Sequence, residues 1–87
     1  MNKRVLITGV AGLLGSRLAD WIIENKPEYK VVGVDNLEGG YLENVNVNCD
    51  FYKVDCTDSV KIDEIFSTHK FDYVFQDTMI THWLKDR

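Results

Sequence analysis

The sequence predicts an α/β fold with three layers, α/β/α, in which about four parallel strands lie between helices. Short apolar runs rich in β-branched residues alternate with segments of helical periodicity, and the first run ends at three evenly spaced glycines. Strands that alternate with helices are joined by right-handed crossovers, which place helices on both faces of a mostly parallel sheet. The usual strand order, 3-2-1-4, is the first half of a doubly wound sheet plus one strand of the second half.

The composition is that of one small globular domain. The chain has 87 residues, of which 45% are apolar and 28% are charged, so there is little room for a second domain. The net charge of -4 argues against a dedicated nucleic-acid binder, because neutralising phosphates requires a basic face. No apolar run reaches the roughly 18–20 residues that span a bilayer. We therefore expect neither a nucleic-acid partner nor a membrane.

The first strand and the first helix come directly before and after the glycines. Residues 3–8 are predicted as a buried strand, because a β-branched run ends there at a glycine. Residues 12–25 are predicted as a helix, and Pro27 makes a plausible stop. The apolar positions of this helix have the spacing i, i+4, i+7 and i+8 and are Leu14, Leu18, Trp21 and Ile22.

The remaining segments predict three further strands and one helix. Residues 30–36 and 51–55 are predicted as the second and third strands, and the polar segment between them as an unusually long loop. Residues 57–59 supply N-cap side chains for a second helix, and residues 71–76 are the fourth strand. The apolar residues of the second helix are Val60, Ile62, Ile65 and Phe66.

The three glycines have separate mechanical roles in a strand-turn-helix setting. Gly9 allows the tight turn, Gly12 lets the backbone approach a pyrophosphate, and Gly15 lets the helix pack closely on the sheet. Free N–H groups and the positive end of the helix dipole then point at the anion. Asp35 lies twenty residues past Gly15, at the end of the second strand, where a carboxylate accepts both ribose hydroxyls of an adenosine. Because a carboxylate there repels a 2′-phosphate, NAD is favoured over NADP.

An alternative interpretation of the first residues is a secretory leader, with Lys3 and Arg4 as its basic region. The apolar core of a leader is rich in leucine and alanine without regularly spaced glycine. No small-x-small cleavage site precedes Arg17 and Asp20. We therefore expect a cytoplasmic protein.

The cysteines and histidines do not form a metal or redox motif. Cys49 and Cys56 are seven residues apart, which fits neither C-x-x-C nor zinc-knuckle spacing. We expect free thiols in a reducing compartment. His69 and His82 have no companion ligand at metal spacing, so no metal site is predicted.

Three segments carry a family resemblance: TGVAGLLG at 8–15, VDNLEGG at 34–40 and KVDCTD at 53–58. Together they resemble the N-terminal part of extended short-chain dehydrogenases/reductases, the NAD-dependent epimerase/dehydratase family, and in particular its UDP-glucose epimerase-like members. The resemblance implies a partial NAD-binding Rossmann domain over residues 1–76, with Asp55 and its neighbour Cys56 at the adenine. The predicted cofactor-binding residues are Gly9, Gly12, Leu13, Leu14, Gly15, Asp35, Asn36, Asp55 and Cys56.

The sequence departs from the family pattern after FDYVF. The family usually continues with a histidine, a leucine and two small residues along the ribose and nicotinamide, whereas this chain has QDTM at 76–79. The family's catalytic Tyr-x-x-x-Lys pair comes much later, and none of the four tyrosines here has a lysine at that offset. No catalytic residue is therefore predicted. Residues 77–87 are predicted as a non-family tail, either a short amphipathic helix across the open sheet or a disordered segment.

The resemblance implies the N-terminal portion of a nucleotide-sugar epimerase or dehydratase, which binds the ADP half of NAD and is inactive alone. We expect a truncated product that lacks the second half of the sheet. The alternatives are a non-catalytic NAD- or ADP-binding or hetero-association module, and an inert fragment. Strand four is then an unprotected edge beside exposed apolar sheet, which favours a homo-oligomer or a complementary polypeptide.

Overall fold

The computed structural model describes residues 3–55 and 57–76. Cys56 and residues 77–87 lie outside the described residues, so the adenine contact of Cys56 and the tail stay predictions. No described helix combines the length and the apolar character needed to cross a membrane. In chain order the elements are β1 (Lys3–Thr8), α1 (Leu13–Asn25), β2 (Tyr29–Asp35), a 3-10 turn (Leu42–Asn44), β3 (Asp50–Lys53), α2 (Ser59–Thr68) and β4 (Tyr73–Gln76).

The four strands form one parallel sheet in the order β3-β2-β1-β4, which confirms the predicted order. Strand β3 ends two residues before the predicted position. The chain turns there into α2, because the backbone carbonyl of Asp55 accepts the N–H of Asp58 at 2.9 Å. Strand β4 begins at Tyr73 rather than at residue 71, since Asp72 exchanges two hydrogen bonds with the backbone of Arg4.

Each face of the sheet has its own apolar core, because successive side chains of a strand point to opposite faces. On one face Val5, Ile7 and Val31 pack with residues of α1. On the other face α2 contributes Ile62 and Ile65, which are both buried. The N-cap of α2 is Asp58, whose carboxylate accepts the backbone N–H of Lys61 at 3.2 Å, as the predicted cap residues require.

The buried side of α1 differs from the predicted apolar stripe. Leu14 and Trp21 are 66% and 55% exposed, and the buried residues of the helix are Gly15, Ser16, Ala19 and Ile22. Small residues face the sheet because the helix begins directly on the glycine turn and lies close to it. The larger Leu18 remains at the margin, where it is half-buried against the core.

Candidate dinucleotide-binding site

The chain turns sharply at Gly9, directly after the last residue of β1. Gly9 has a φ of 72°, in the left-handed region that a residue without Cβ adopts at low cost. Its N–H and that of Val10 both donate to the carbonyl oxygen of Val34, at 2.9 and 3.3 Å, so β2 holds the turn from the side. The N–H of Gly12 then donates to the carbonyl of Gly9 at 3.0 Å. Gly9 therefore has the turn-forming role that its position predicts.

Helix α1 begins at this turn without a side-chain cap. Gly12 is the N-cap residue, with extended backbone angles, and as a glycine it has no side chain to accept the first amides of the helix. The first four N–H groups of an α-helix have no partner within the helix. Leu13 and Leu14 follow at once, with side chains 69% and 66% exposed, so the helix start faces solvent. An uncapped, exposed start on a helix of 13 residues fits a negatively charged phosphate.

Gly15 brings the helix against the turn. An ideal Cβ on this residue would lie 2.2 Å from the carbonyl oxygen of Gly9 and 3.0 Å from the Cα of Val10. No side chain fits in that gap. The third glycine therefore has the packing role that its spacing predicts.

Asp35 ends β2 beside the turn, and its side chain is only 8% exposed. One carboxylate oxygen, Oδ2, accepts the backbone N–H of Ala11 at 2.9 Å. The other, Oδ1, accepts the N–H of Leu37 at 2.8 Å. The structure thus brings together Asp35 and the glycine turn, as the sequence predicts. It also shows a bracing role for this carboxylate that a ribose contact alone does not require.

Asn36 and Asp55, the two described residues that are predicted beyond Asp35, lie at the same carboxyl edge of the sheet. The side chain of Asn36 accepts the backbone N–H of Glu38 at 3.0 Å and forms a local turn. Val54 donates its N–H to the carbonyl of Asp35 at 3.1 Å, which places Asp55 just beyond the end of β2. Asp55 is exposed, and hydrogen bonds from the backbone and hydroxyl of Thr57 lower the pKa of its carboxyl group.

Two glycines outside the predicted triplet also shape the site. Gly33, within β2, lies under the side chain of Val10, and a Cβ there would meet all three side-chain carbons of that valine at 2.6–2.7 Å. Gly40 lies against the turn from the other side, with its ideal Cβ 2.4 Å from the carbonyl oxygen of Ala11. Sequence reasoning missed both roles, because nothing local marks a strand or loop glycine as a tertiary contact.

Two other reactive side chains of the described residues, Cys49 and His69, are buried. Burial raises the pKa of the Cys49 thiol to about 11, and this cysteine is free, as predicted. His69 is buried, and its Nε2 lies 3.0 Å from the hydroxyl of Tyr52. Within residues 3–55 and 57–76, no three acidic, histidine or cysteine side chains cluster as a metal site.

Comparison with known proteins gives consistent matches. Residues 5–85 match the model of the family described as NAD dependent epimerase/dehydratase. A dTDP-D-glucose 4,6-dehydratase of Dictyostelium discoideum is 33% identical over 88 residues, covering 92% of this chain and 20% of the relative.

Two solved structures have similar folds and related sequences. The UDP-glucose 4-epimerase of Thermotoga maritima, determined with UDP-glucose, is 41% identical with a TM-score of 0.82 over 90% of this chain and 25% of that one. The UDP-glucose 4-epimerase of Thermus thermophilus in complex with NAD is 31% identical with a TM-score of 0.78, over 86% of this chain and 24% of that one. The chain therefore spans about a fifth to a quarter of the length of these relatives.

Proposed function

The chain belongs to the NAD-dependent epimerase/dehydratase family, and on that premise we propose that it holds the ADP half of NAD within a nucleotide-sugar epimerase or dehydratase. One observation carries the proposal. The uncapped start of α1 is braced by the carboxylate of Asp35 through the N–H of Ala11, at 2.9 Å. In this proposal the helix start binds the phosphates and the acid binds the ribose, and the hydrogen bond between the turn and Asp35 supports their acting together.

Each predicted residue has a distinct part in the proposed complex. The amides at the start of α1, at Leu13, Leu14 and Gly15, donate to the diphosphate. Asp35 uses one acceptor position on each oxygen for the backbone, and its remaining lone pairs accept the ribose hydroxyls. Asn36 orients the backbone beside that ribose. When bound, NAD supplies a nicotinamide that accepts hydride.

We propose that the site prefers NAD to NADP. The side chain of Asp35 is buried at the end of β2, and its two oxygens are fixed by backbone N–H groups. It cannot swing away to admit the 2′-phosphate of NADP. The two negative charges would then face each other in a partly desolvated place, where repulsion is strong.

The sequence offers no Tyr-x-x-x-Lys pair, so we propose that the isolated chain binds cofactor without turning over a sugar nucleotide. Cys56 joins Asp55 at the adenine in this proposal. Conversion of a UDP-sugar by the purified 87-residue chain would contradict it.

Calorimetric titration with NAD, NADP and ADP-ribose tests the proposal. We expect NAD and ADP-ribose to bind alike and NADP to bind at least tenfold more weakly. We expect Gly12→Val to abolish binding, because its side chain fills the space that the diphosphate approaches. Asp35→Asn removes the negative charge and should therefore reduce the difference in affinity between NAD and NADP. A folded chain that binds none of the three ligands would refute the proposal, with circular dichroism as the control for folding.

A second role, association with another polypeptide, is favoured by the surface beside β4. In the described sheet β4 is an edge strand, and its Tyr73 and Phe75 are 45% and 42% exposed. Together with Leu18 and Trp21 of α1 they line an apolar groove. Exposed apolar surface next to an edge strand promotes association. A second copy or a complementary chain that covers this groove is our proposal for the partner.

Sedimentation of matched variants tests this second role. Trp21→Glu places a charge in the groove and should shift the chain toward monomer. Leu42→Glu is the control, because Leu42 is similarly exposed, at 58%, but does not line the groove. Association through this face would be contradicted if the wild-type protein remained monomeric at millimolar concentration and also bound no added complementary polypeptide.

A further inference from the structure

Both backbone polar groups of Ala11, in the middle of the glycine turn, are held by the last residue of β2 and by residues of the loop that follows it. The N–H donates to Asp35 as described above. The carbonyl oxygen accepts two hydrogen bonds, from the backbone N–H of Tyr41 and from the side-chain Nδ2 of Asn44, each at 3.2 Å. Ala11 itself is completely buried. The turn is therefore fixed from outside as well as by its own glycines.

The carbonyl of Ala11 and the N–H of Gly12 belong to one planar peptide group. That group is held at its oxygen by Tyr41 and Asn44 and at its nitrogen by the carbonyl of Gly9, 3.0 Å away. The next amides along the chain are those that begin α1. The plane of this peptide sets the direction from which the chain enters α1, so we expect a change of that plane to reorient those amides.

The loop between β2 and β3 is built to lie against this peptide. At Gly40 an ideal Cβ would be 2.4 Å from the oxygen of Ala11 and 2.9 Å from the nitrogen of Gly12, so the loop backbone touches the turn. At Gly39 nothing lies within 4 Å. Leu37 has a φ of 66°, a left-handed conformation that costs a residue with a side chain about 1 kcal/mol. Its N–H is held by Asp35, which directs the loop back over the turn.

We propose that Gly40 and Asn44 are positioning residues for diphosphate binding, acting through the Ala11–Gly12 peptide rather than by contact with the cofactor. The loop of residues 37–44 is then a clamp on the phosphate-binding turn. This inference rests on the proposed function for its ligand, but the clamp itself is also measurable without ligand.

Neighbouring residue pairs provide matched variants. Asn44→Ala and Asn44→Asp both remove the donor to Ala11, the second with almost no change of shape, and Gly40→Ala forces the loop off the turn. Their controls are Asn48→Ala, at an exposed position of the same loop, and Gly39→Ala, where a Cβ meets open space. Each variant is titrated with ADP and with adenosine, and amide hydrogen exchange at Gly12 is followed without ligand.

We expect Asn44→Ala to weaken ADP binding about fivefold, the equivalent of one lost hydrogen bond, and Gly40→Ala to weaken it more than tenfold. Adenosine, which lacks the diphosphate, should bind all variants within twofold of wild type. Exchange at Gly12 should accelerate in Asn44→Ala, Asn44→Asp and Gly40→Ala but not in the two controls.

Four results separate the possible failures. Unchanged ADP affinity in Asn44→Ala and Gly40→Ala would overturn the positioning role, and so would an equal loss for ADP and adenosine, because that indicates general disturbance of the site. Wild-type protein that binds neither ADP nor NAD would refute the proposed function and the positioning role together. Exchange at Gly12 would still decide whether the loop clamps the turn, since unchanged exchange in all variants would show that it does not.

Discussion

The α-carbon of Gly15, in the first turn of α1, packs against the carbonyl oxygen of Gly9, and an ideal Cβ would lie 2.2 Å from that oxygen. The contact joins the start of the helix to the end of β1. It involves backbone on the Gly9 side, so no rotamer change can relieve it. The closeness of helix and turn therefore depends on the absence of a single methyl group.

Gly15→Ala should destabilise the fold by about 1–3 kcal/mol, the usual cost of overpacking a tight site. The sign is informative, because the same change in an unconstrained helix interior is stabilising by about 1 kcal/mol. Urea unfolding of the variant against wild type measures it. Arg17→Ala, at an exposed position in the same helix, controls for helix propensity. A Gly15→Ala variant as stable as wild type would show that the contact is looser than described.

Val10 and Gly33 should behave as a coupled pair. Gly33→Ala alone introduces a Cβ within 2.7 Å of the buried side chain of Val10 and should cost about 1–3 kcal/mol. In the double variant with Val10→Gly the clash is absent. The double variant should therefore lose about 1 kcal/mol less unfolding free energy than the sum of the losses in the two single variants. A double-mutant cycle of unfolding free energies measures this coupling. Simple additivity would contradict the packing.

His69 should make folding stability sensitive to mildly acidic pH. Burial lowers the pKa of its imidazole below the ordinary 6.5, and the charges of Lys30 and Arg4 act in the same direction. The unfolded chain therefore binds a proton more readily than the folded one. The contribution of His69 is fully present above pH 6.5 and is lost as the pH falls from that value through the lowered pKa of the folded state.

Replacing His69 with glutamine should flatten this dependence. Glutamine does not titrate, yet its amide can bond to the hydroxyl of Tyr52, which lies 3.0 Å from the histidine ring in the wild type. Unfolding free energies of both proteins are compared between pH 5 and pH 8. Subtracting one profile from the other removes the contribution of the carboxylates that both proteins share. Parallel profiles for wild type and His69→Gln would contradict this origin of the dependence.

Cys49 should resist alkylation in the folded protein. With its pKa raised to about 11 by burial, its thiolate fraction at pH 8 is about a hundredfold below that of a free thiol. Peptide mapping after timed treatment with iodoacetamide follows Cys49 separately from Cys56. Denaturant should restore ordinary reactivity. Rapid modification of Cys49 in folded protein would show that this side of the core opens readily.

Strong local signals made most of the fold predictable. The positions of the strands and helices and the order of the sheet followed from three such signals. These are the glycine after the first apolar run, the aspartate after the second apolar run, and the cap residues before a segment of helical periodicity. The prediction that Leu14 and Trp21 lie on the buried side of α1 was wrong, because periodicity reports the spacing of apolar residues but not the distance between helix and sheet. That distance is set by Gly15, so Ala19 and Ser16 take the inner positions.

The predicted site lacked its supporting contacts for a similar reason. Gly9, Gly12, Gly15 and Asp35 have a sequence pattern, and the structure brings them together. Asn44 and Gly40 reach Ala11 from about thirty positions along the chain, through a loop whose path no local propensity fixes. Such contacts arise from tertiary packing, and a single sequence does not report them.

The central claim is that the amides at the start of α1 hold a diphosphate. The most direct test is to titrate NAD and ADP separately into ¹⁵N-labelled protein and to follow the backbone amides by NMR. We predict saturable changes in the chemical shifts of the Leu13, Leu14 and Gly15 amides that are nearly the same for both ligands, with little change along α2. Saturation of the protein by NAD without any change in the chemical shifts of these three amides would contradict the account.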